Sequence, residues 1–223
     1  DNARSIVEGP DGALWIGTFE GLARYDHGRF TTWTTKQGLS ANVVLSLALG
    51  RDGALWAGTL GAGLNRLQQG RITRYGKAQG LSNETVLGLL EDSQGTLWAG
   101  TRSGGLNKLE NGRFRAYTTA DGLSSNDVRY VLEARGGGLW LATLGGGLNR
   151  FKDGTFTALT RKDGLSSDLV LSVHEDADGT LWIGTFGGGL NRYKDGKFNA
   201  YTARDGLLDD VVFQILDDDR GNL

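Results

Sequence analysis

Apolar and polar residues along this chain change places in short runs, and the same succession of runs returns about every 42 residues. In the third copy, apolar positions and their flanking turns predict strands at about Val86–Glu91, Thr96–Thr101, Leu106–Leu109 and Arg113–Tyr117. Between them stand Ser93-Gln94-Gly95, Ser103-Gly104 and Asn111-Gly112. Glycine reaches positive φ without steric penalty, and Asp or Asn bonds to its own turn backbone, so each joint favours a hairpin. Each unit is therefore expected to form four antiparallel strands, and the longer Gly122-Leu123-Ser124-Ser125-Asn126-Asp127 segment carries the chain to the next sheet.

The register of the repeat is tight. Trp15, Trp56, Trp98, Trp140 and Trp182 are 41, 42, 42 and 42 residues apart, and segments 80–121 and 164–205 agree at 23 of 42 positions. A lone four-stranded sheet buries little, so copies must stack. A period of 42 falls in the range of propeller blades, whereas leucine-rich repeats are shorter and paired-helix repeats lack this strand-turn rhythm. The expected fold is all-β, a β-propeller of four-stranded antiparallel blades. It has five complete blades at about 3–34, 44–76, 86–118, 128–160 and 170–202, followed by one extra strand within 211–223, all in one domain spanning 1–223. Two residues after each Trp, Gly17, Gly58, Gly100, Ala142 and Gly184 stay small, which predicts close approach of a neighbouring sheet. Val211–Asp217 opens a sixth unit that stops at Gly221-Asn222-Leu223, so the expectation is a portion of a larger ring, with a naturally closed five-bladed ring and an engineered repeat as alternatives.

Composition narrows the function classes. Lys and Arg number 24 against 26 Asp and Glu, a balance without the basic footprint that a nucleic-acid binder needs. The chain has no cysteine, hence no disulfide, no thiolate nucleophile and no cysteine-ligated metal, and no apolar run long enough to span a membrane. It also has no Met, so its amino terminus is expected to be a processed or cut end. The 37 glycines lack the every-third spacing of collagen.

The repeat resembles the regulator-type propeller repeat of bacterial two-component systems. The residues that carry the likeness are Asp11-Gly12-Ala13-Leu14-Trp15-Ile16-Gly17-Thr18, Gly179-Thr180-Leu181-Trp182-Ile183-Gly184-Thr185 with Gly188-Gly189-Leu190-Asn191-Arg192-Tyr193, and the crossovers Gly122–Asn126 and Gly164–Asp168. The resemblance implies an extracytoplasmic sensor, periplasmic or extracellular, that takes a small-molecule or glycan ligand. It also implies downstream receptor domains, which are absent from this chain. Blades of this kind commonly build seven-bladed rings, so a ligand site shared among blades is complete only with all of its walls.

Candidate binding residues are sought where the copies disagree. Ser46, Gly88, Tyr130, Ser172 and Gln214 share one position of the first strand, and Leu45, Leu87, Arg129, Leu171 and Phe213 the one before it. Tyr130, Gln214 and Arg129 are read as ligand contacts near a central channel, or else as a space-filling ring and a snorkelling cation. Strict alternation would send Arg129 and Tyr130 to opposite faces. The loops after the Trp strands carry Phe19, Leu60, Arg102, Leu144 and Phe186; of these Phe19, Phe186 and Arg102 are candidates for stacking and for binding a carboxylate, or simply cover the adjacent blade.

His174 replaces Leu90 and Leu132 and is either a ligand contact or a strand histidine bonded beside Glu175, while His27 is a turn residue. No catalytic set, metal cluster or cofactor motif assembles from the spacing, and Asp176-Ala177-Asp178-Gly179 is read as a turn rather than a calcium loop. Arg24, Arg66, Lys108, Arg150 and Arg192 are expected to bond between blades or to turn acids. A sensor or binding module is the first reading. Its alternatives are an enzyme akin to antibiotic-cleaving propeller lyases, suggested by the Gly-Pro-Asp-Gly-Ala-Leu-Trp opening, and a scaffold that self-associates through open edges.

Overall fold

The computed structural model describes residues 3–218 and residue 223. It contains five four-stranded antiparallel sheets, each with its strands in chain order. Residues up to Tyr117 form one compact unit with three of the sheets, and residues from Thr118 onward form a second with two. The first unit holds β1 (Ala3–Glu8), β2 (Leu14–Thr18), β3 (Leu22–Asp26) and β4 (Arg29–Trp33); then β5 (Val44–Leu49), β6 (Leu55–Thr59), β7 (Leu64–Gln68) and β8 (Arg71–Tyr75); then β9 (Val86–Glu91), β10 (Leu97–Thr101), β11 (Gly105–Glu110) and β12 (Arg113–Tyr117). The second holds β13 (Val128–Glu133), β14 (Leu139–Thr143), β15 (Leu148–Lys152) and β16 (Thr155–Leu159), then β17 (Val170–Glu175), β18 (Leu181–Thr185), β19 (Leu190–Lys194) and β20 (Lys197–Tyr201).

The hairpin chemistry is visible in the third sheet. Glu110 pairs with Arg113, leaving Asn111 and Gly112 as a two-residue loop with φ of 49° and 76°. Two successive positive φ values match the right-handed twist of the flanking strands, which is why Asn-Gly stands there. In the first three sheets the recurring basic residue pairs with acids, whereas Arg150 of the fourth donates to the carbonyls of Gly137, Leu139 and Phe151. Arg24 pairs with Asp11 at 2.6 Å and Asp26 at 2.9 Å, Arg66 pairs with Asp52, and Lys108 pairs with Glu110 at 2.7 Å. The same cations lie over their own sheet's indole, at 5.9, 5.5 and 5.5 Å from Trp15, Trp56 and Trp98. Each of these indoles thus has a cation above it, and Trp15 and Trp56 also pack into the seam with the next sheet.

Those seams are the core. In the first unit, Val7, Trp15 and Trp33 pack on Leu47, Leu55, Leu67 and Ile72, and Ala48, Trp56 and Tyr75 pack on Leu89, Leu97, Leu109 and Phe114. In the second unit, Leu132, Trp140 and Leu159 meet Val173, Leu181, Tyr193 and Phe198. The small residue after the Trp belongs to this contact. A Cβ added at Gly58 would stand 2.8 Å from Cγ1 of Val86, which opens the next sheet. Such closeness leaves no room for a side chain.

The connecting segments are fastened by a serine–asparagine pair that recurs. The Ser82 amide donates to Oδ1 of Asn107 at 3.0 Å, and the Ser82 hydroxyl donates to the Gly104 carbonyl at 2.7 Å. Ser40 and Asn65, Ser124 and Asn149, and Ser166 and Asn191 repeat the amide bond. All four asparagines are fully buried, and Ala23 takes the place in the first sheet, which has no serine partner among the described residues. The preceding leucines Leu39, Leu81, Leu123 and Leu165 are buried too, so each connection is a packed element.

The start of the sixth unit is represented by Val211, bridged to Phe186 as Leu169 is bridged to Leu144, and by the Val212 amide, which donates to Thr185 O at 3.0 Å. Residues 219–222, expected to carry that unit's turn, and the amino-terminal pair 1–2 lie outside the described residues. Among the described residues no helix is long and apolar enough to cross a membrane.

Candidate functional site

At the end of each sheet where its second strand turns into its third, side chains vary in size and charge, as Phe19, Leu60, Arg102, Leu144 and Phe186 show. In the second unit the loop residue is tied to the connecting segment by backbone bonds: Leu144 N–H donates to Asp127 O at 3.0 Å and Phe186 N–H to Leu169 O at 2.8 Å. Because Leu169 is also bridged to Leu144, the residues Leu144, Leu169 and Phe186 form a continuous strip along the rim. Leu169 is 39% exposed and Phe186 52%, an apolar surface that no neighbouring strand covers.

Beside this strip lies a charged pair. Arg129 Nε donates to Asp127 Oδ1 at 2.8 Å, with both side chains mostly covered. Arg129 is the extra residue of a β-bulge: Val128 pairs with Thr143 and Tyr130 with Ala142, leaving Arg129 unpaired. The expectation that alternation sends Arg129 and Tyr130 to opposite faces therefore fails on its premise, since a bulge interrupts alternation at that position. The same shift occurs at Arg4, Leu45, Leu87 and Leu171, so it is a feature of the repeat. Tyr130 is 36% exposed as a residue, yet the crowding around its phenol raises its pKa by desolvation, so the hydroxyl stays a neutral donor and acceptor at neutral pH.

In the first unit the equivalent rim residues are Phe19, Leu60 and Arg102. Phe19 is 42% exposed and carries Arg4 over its ring at 5.7 Å. The Arg102 amide donates to Thr85 O at 3.0 Å and its side chain is exposed. Gln214 and Phe213 are exposed in the segment that follows the fifth sheet.

His174 does not join the rim. It faces Trp182 in the register, four residues along β17 from Val170, about 13 Å at the usual rise of a strand. The nearest acid to its Nε2 is Asp217, with Oδ2 at 3.9 Å, rather than the neighbouring Glu175, and Nε2 is buried without a hydrogen-bond partner. Glu175 instead accepts from the Arg135 amide and from Trp140 Nε1, fastening the fifth sheet to the turn of the fourth. The Asp176–Thr180 turn spends its carboxylates internally: Asp176 accepts from the Thr180 amide and from Trp182 Nε1, and Asp178 pairs with Lys194.

Three rim residues do not stand out in the sequence. Leu169, Asp127 and Arg4 each share an aligned position with residues of different character, Val43, Thr85 and Val211 for the first two and Leu45 and Leu87 for the third. That variation was the available signal.

Three stretches, residues 38–61, 80–103 and 164–187, match the family model described as "Two component regulator propeller". The chain is a β-propeller domain. It resembles the extracellular sensor domains of bacterial two-component regulators. The extracellular domain of the hybrid two-component system BT4673 from B. thetaiotaomicron superposes with a TM-score of 0.76 at 22% identity, covering 90% of this chain and 31% of that one. The corresponding domain of BT3049 gives 0.65 at 22% identity, over 98% of this chain and 37% of that one. Virginiamycin B lyase from Staphylococcus aureus gives 0.73 at 17% identity, over 89% and 69%. This propeller thus spans about a third of the length of the two sensor domains. No curated protein matches it in sequence.

Proposed function

We propose that this propeller is a ligand-binding portion of a bacterial signalling receptor, working in the periplasm or outside the cell and recognising a small polar ligand such as a carbohydrate fragment. In this reading, residues 1–223 belong to one propeller domain, and the signalling output lies in other parts of the receptor. The observation that carries it is the strip of exposed Leu169 and Phe186 with partly buried Leu144, beside the Arg129–Asp127 pair: an apolar platform next to fixed hydrogen-bonding groups suits a ligand with both kinds of surface. Recognition rather than turnover is favoured by the likeness to the sensor domains of two-component regulators.

The test is a thermal-shift screen of neutral and acidic oligosaccharides against the chain and against Phe186→Ala. A ligand that raises the melting temperature of the parent chain and has lost that effect in the variant supports the reading. Stabilising ligands that act equally on both proteins would remove the rim from it.

A lyase reading has one observation in its favour, the buried and unpartnered Nε2 of His174, set beside the solved lyase whose H270A form is described as catalytically inactive with quinupristin. Incubation with quinupristin decides it: cleavage that disappears in His174→Ala establishes the lyase reading, and an intact substrate rejects it.

A further inference from the structure

Five of the six tryptophans belong to the repeat, and the sixth is Trp33. By register it stands where the other sheets have Tyr75, Tyr117, Leu159 and Tyr201. It meets Trp15 with ring centroids 5.1 Å apart and planes tilted by 36°. Both indoles are partly buried, as are Trp140 and Trp182, whereas Trp56 and Trp98 are 4% and 6% exposed. The pair forms one wall of a cleft of about 120 Å³ at the outer end of the seam between the first and second sheets. The opposite wall is Leu55, Leu67 and the turn Gln68-Gln69-Gly70.

That turn is also exceptional. At the same place the other sheets have Asp26-His27, Glu110-Asn111, Lys152-Asp153 and Lys194-Asp195, each with an ionisable side chain, while here both residues are neutral carboxamides. Gln68 is held in place: its Oε1 accepts from Arg66 Nη1 at 2.8 Å and its Nε2 donates to Asp52 O at 3.2 Å. Gln69 is exposed at the mouth. Arg24, which lies over Trp15, has its charge spent on Asp11 and Asp26. No ionised side chain lines the cleft.

We propose that this seam is a binding site for a neutral sugar ring, separate from the rim and independent of it. An indole pair offers an apolar face to ring C–H groups, and an exposed amide serves as both donor and acceptor for hydroxyls. The uncharged lining selects against acids and amines, since a charge moved into the cleft would lose hydration without gaining a partner. The small volume admits one ring, so affinity for an isolated monosaccharide is in the millimolar range. The repeat-internal substitutions fall together on the two walls of one cleft, whereas the seam between the second and third sheets has Tyr75 and the charged Glu110-Asn111 turn in their places.

The test uses methyl β-D-glucopyranoside as probe and follows the six indole N–H signals by NMR. Saturable shifts confined to the Trp15 and Trp33 signals, with no shift from glucuronate, are the expected result. Trp33→Tyr installs the residue that three other sheets accommodate, and Gln69→Asp installs the turn residue of the fourth and fifth sheets. Each should weaken binding by about fivefold or more with unchanged melting temperature. Phe186→Ala should leave this binding intact, so failure of the rim proposal is read separately. The inference is overturned if no saturable shift appears up to about 100 mM probe, if glucuronate binds equally well, or if both cleft variants bind like the parent chain.

Discussion

The Ser82 amide and the Asn107 side chain, 25 residues apart, meet in a 3.0 Å hydrogen bond inside the third sheet. Asn107 also donates from Nδ2 toward Ala99 O and Thr101 Oγ1, both at 3.4 Å, so one buried carboxamide joins the connecting segment to two strands. Replacing it removes a partner of the Ser82 amide and of the buried Ala99 carbonyl and Thr101 hydroxyl. Asn107→Ala should therefore cost about 1–3 kcal/mol, the usual penalty when a buried polar group loses its partner. Urea denaturation measures it, and a loss below about 0.5 kcal/mol would show that water takes over the bonds.

Gly58→Val should destabilise through overpacking. Its Cβ would press on Val86 Cγ1 at 2.8 Å and on the Ser46 hydroxyl, and the position has no positive φ to add strain. The expected cost is about 1–3 kcal/mol. Gly58→Ala should cost less, because the fourth sheet already accommodates Ala142 there. Equal melting temperatures for the parent chain and the Val variant would mean that the seam opens freely.

Stability should fall in acid. Asp163 and Asp205 accept from the backbone amides of Thr160 and Thr202, at 2.8 and 2.9 Å, and these bonds hold both carboxyls below the ordinary aspartate value. A carboxyl whose folded pKa is depressed contributes stability that is full above its unfolded value, near pH 4, and is lost as pH falls through the folded value. Melting temperature should accordingly decline below about pH 4. Asp163→Asn should be less stable than the parent chain at pH 7 and show a shallower acid decline, and parallel profiles would contradict the assignment.

Leu169→Ser separates recognition from folding. The side chain is exposed, and its backbone carbonyl still accepts from Phe186 in the variant. Melting should shift by no more than the half kilocalorie or so typical of surface changes. Binding of any rim ligand found in the thermal-shift screen should weaken, as read by calorimetry.

Much of the architecture could be read in advance. Strands expected at Val86–Glu91 and Arg113–Tyr117 occur at those bounds, and Thr96–Thr101 begins one residue later, at Leu97. The bonding of Arg24 to Asp26 and of Lys108 to Glu110 was legible because partners two residues apart on a strand share a face, whereas Arg66 reaches Asp52 in the preceding turn, 14 residues away. The candidate site was legible only in part. Phe186 lies on the rim, but Leu169 joins it through a bridge between sheets, and Arg129 finds Asp127 around a bulge. His174, a candidate ligand contact or a partner of Glu175 by sequence, has Asp217 as its acidic neighbour, which comes from a segment 43 residues away and so was not legible.

By itself the order of residues determined the repeat, the strands and their hairpins, because alternation and turn chemistry act over two to four neighbouring positions. Which faces meet, that Ser82 finds Asn107, and that Trp33 looks across at Gln69 were decided only by the stacking of sheets. Close packing lets a side chain's surroundings be set by a neighbouring sheet, and the identity of that neighbour is a property of the folded chain rather than of any local stretch.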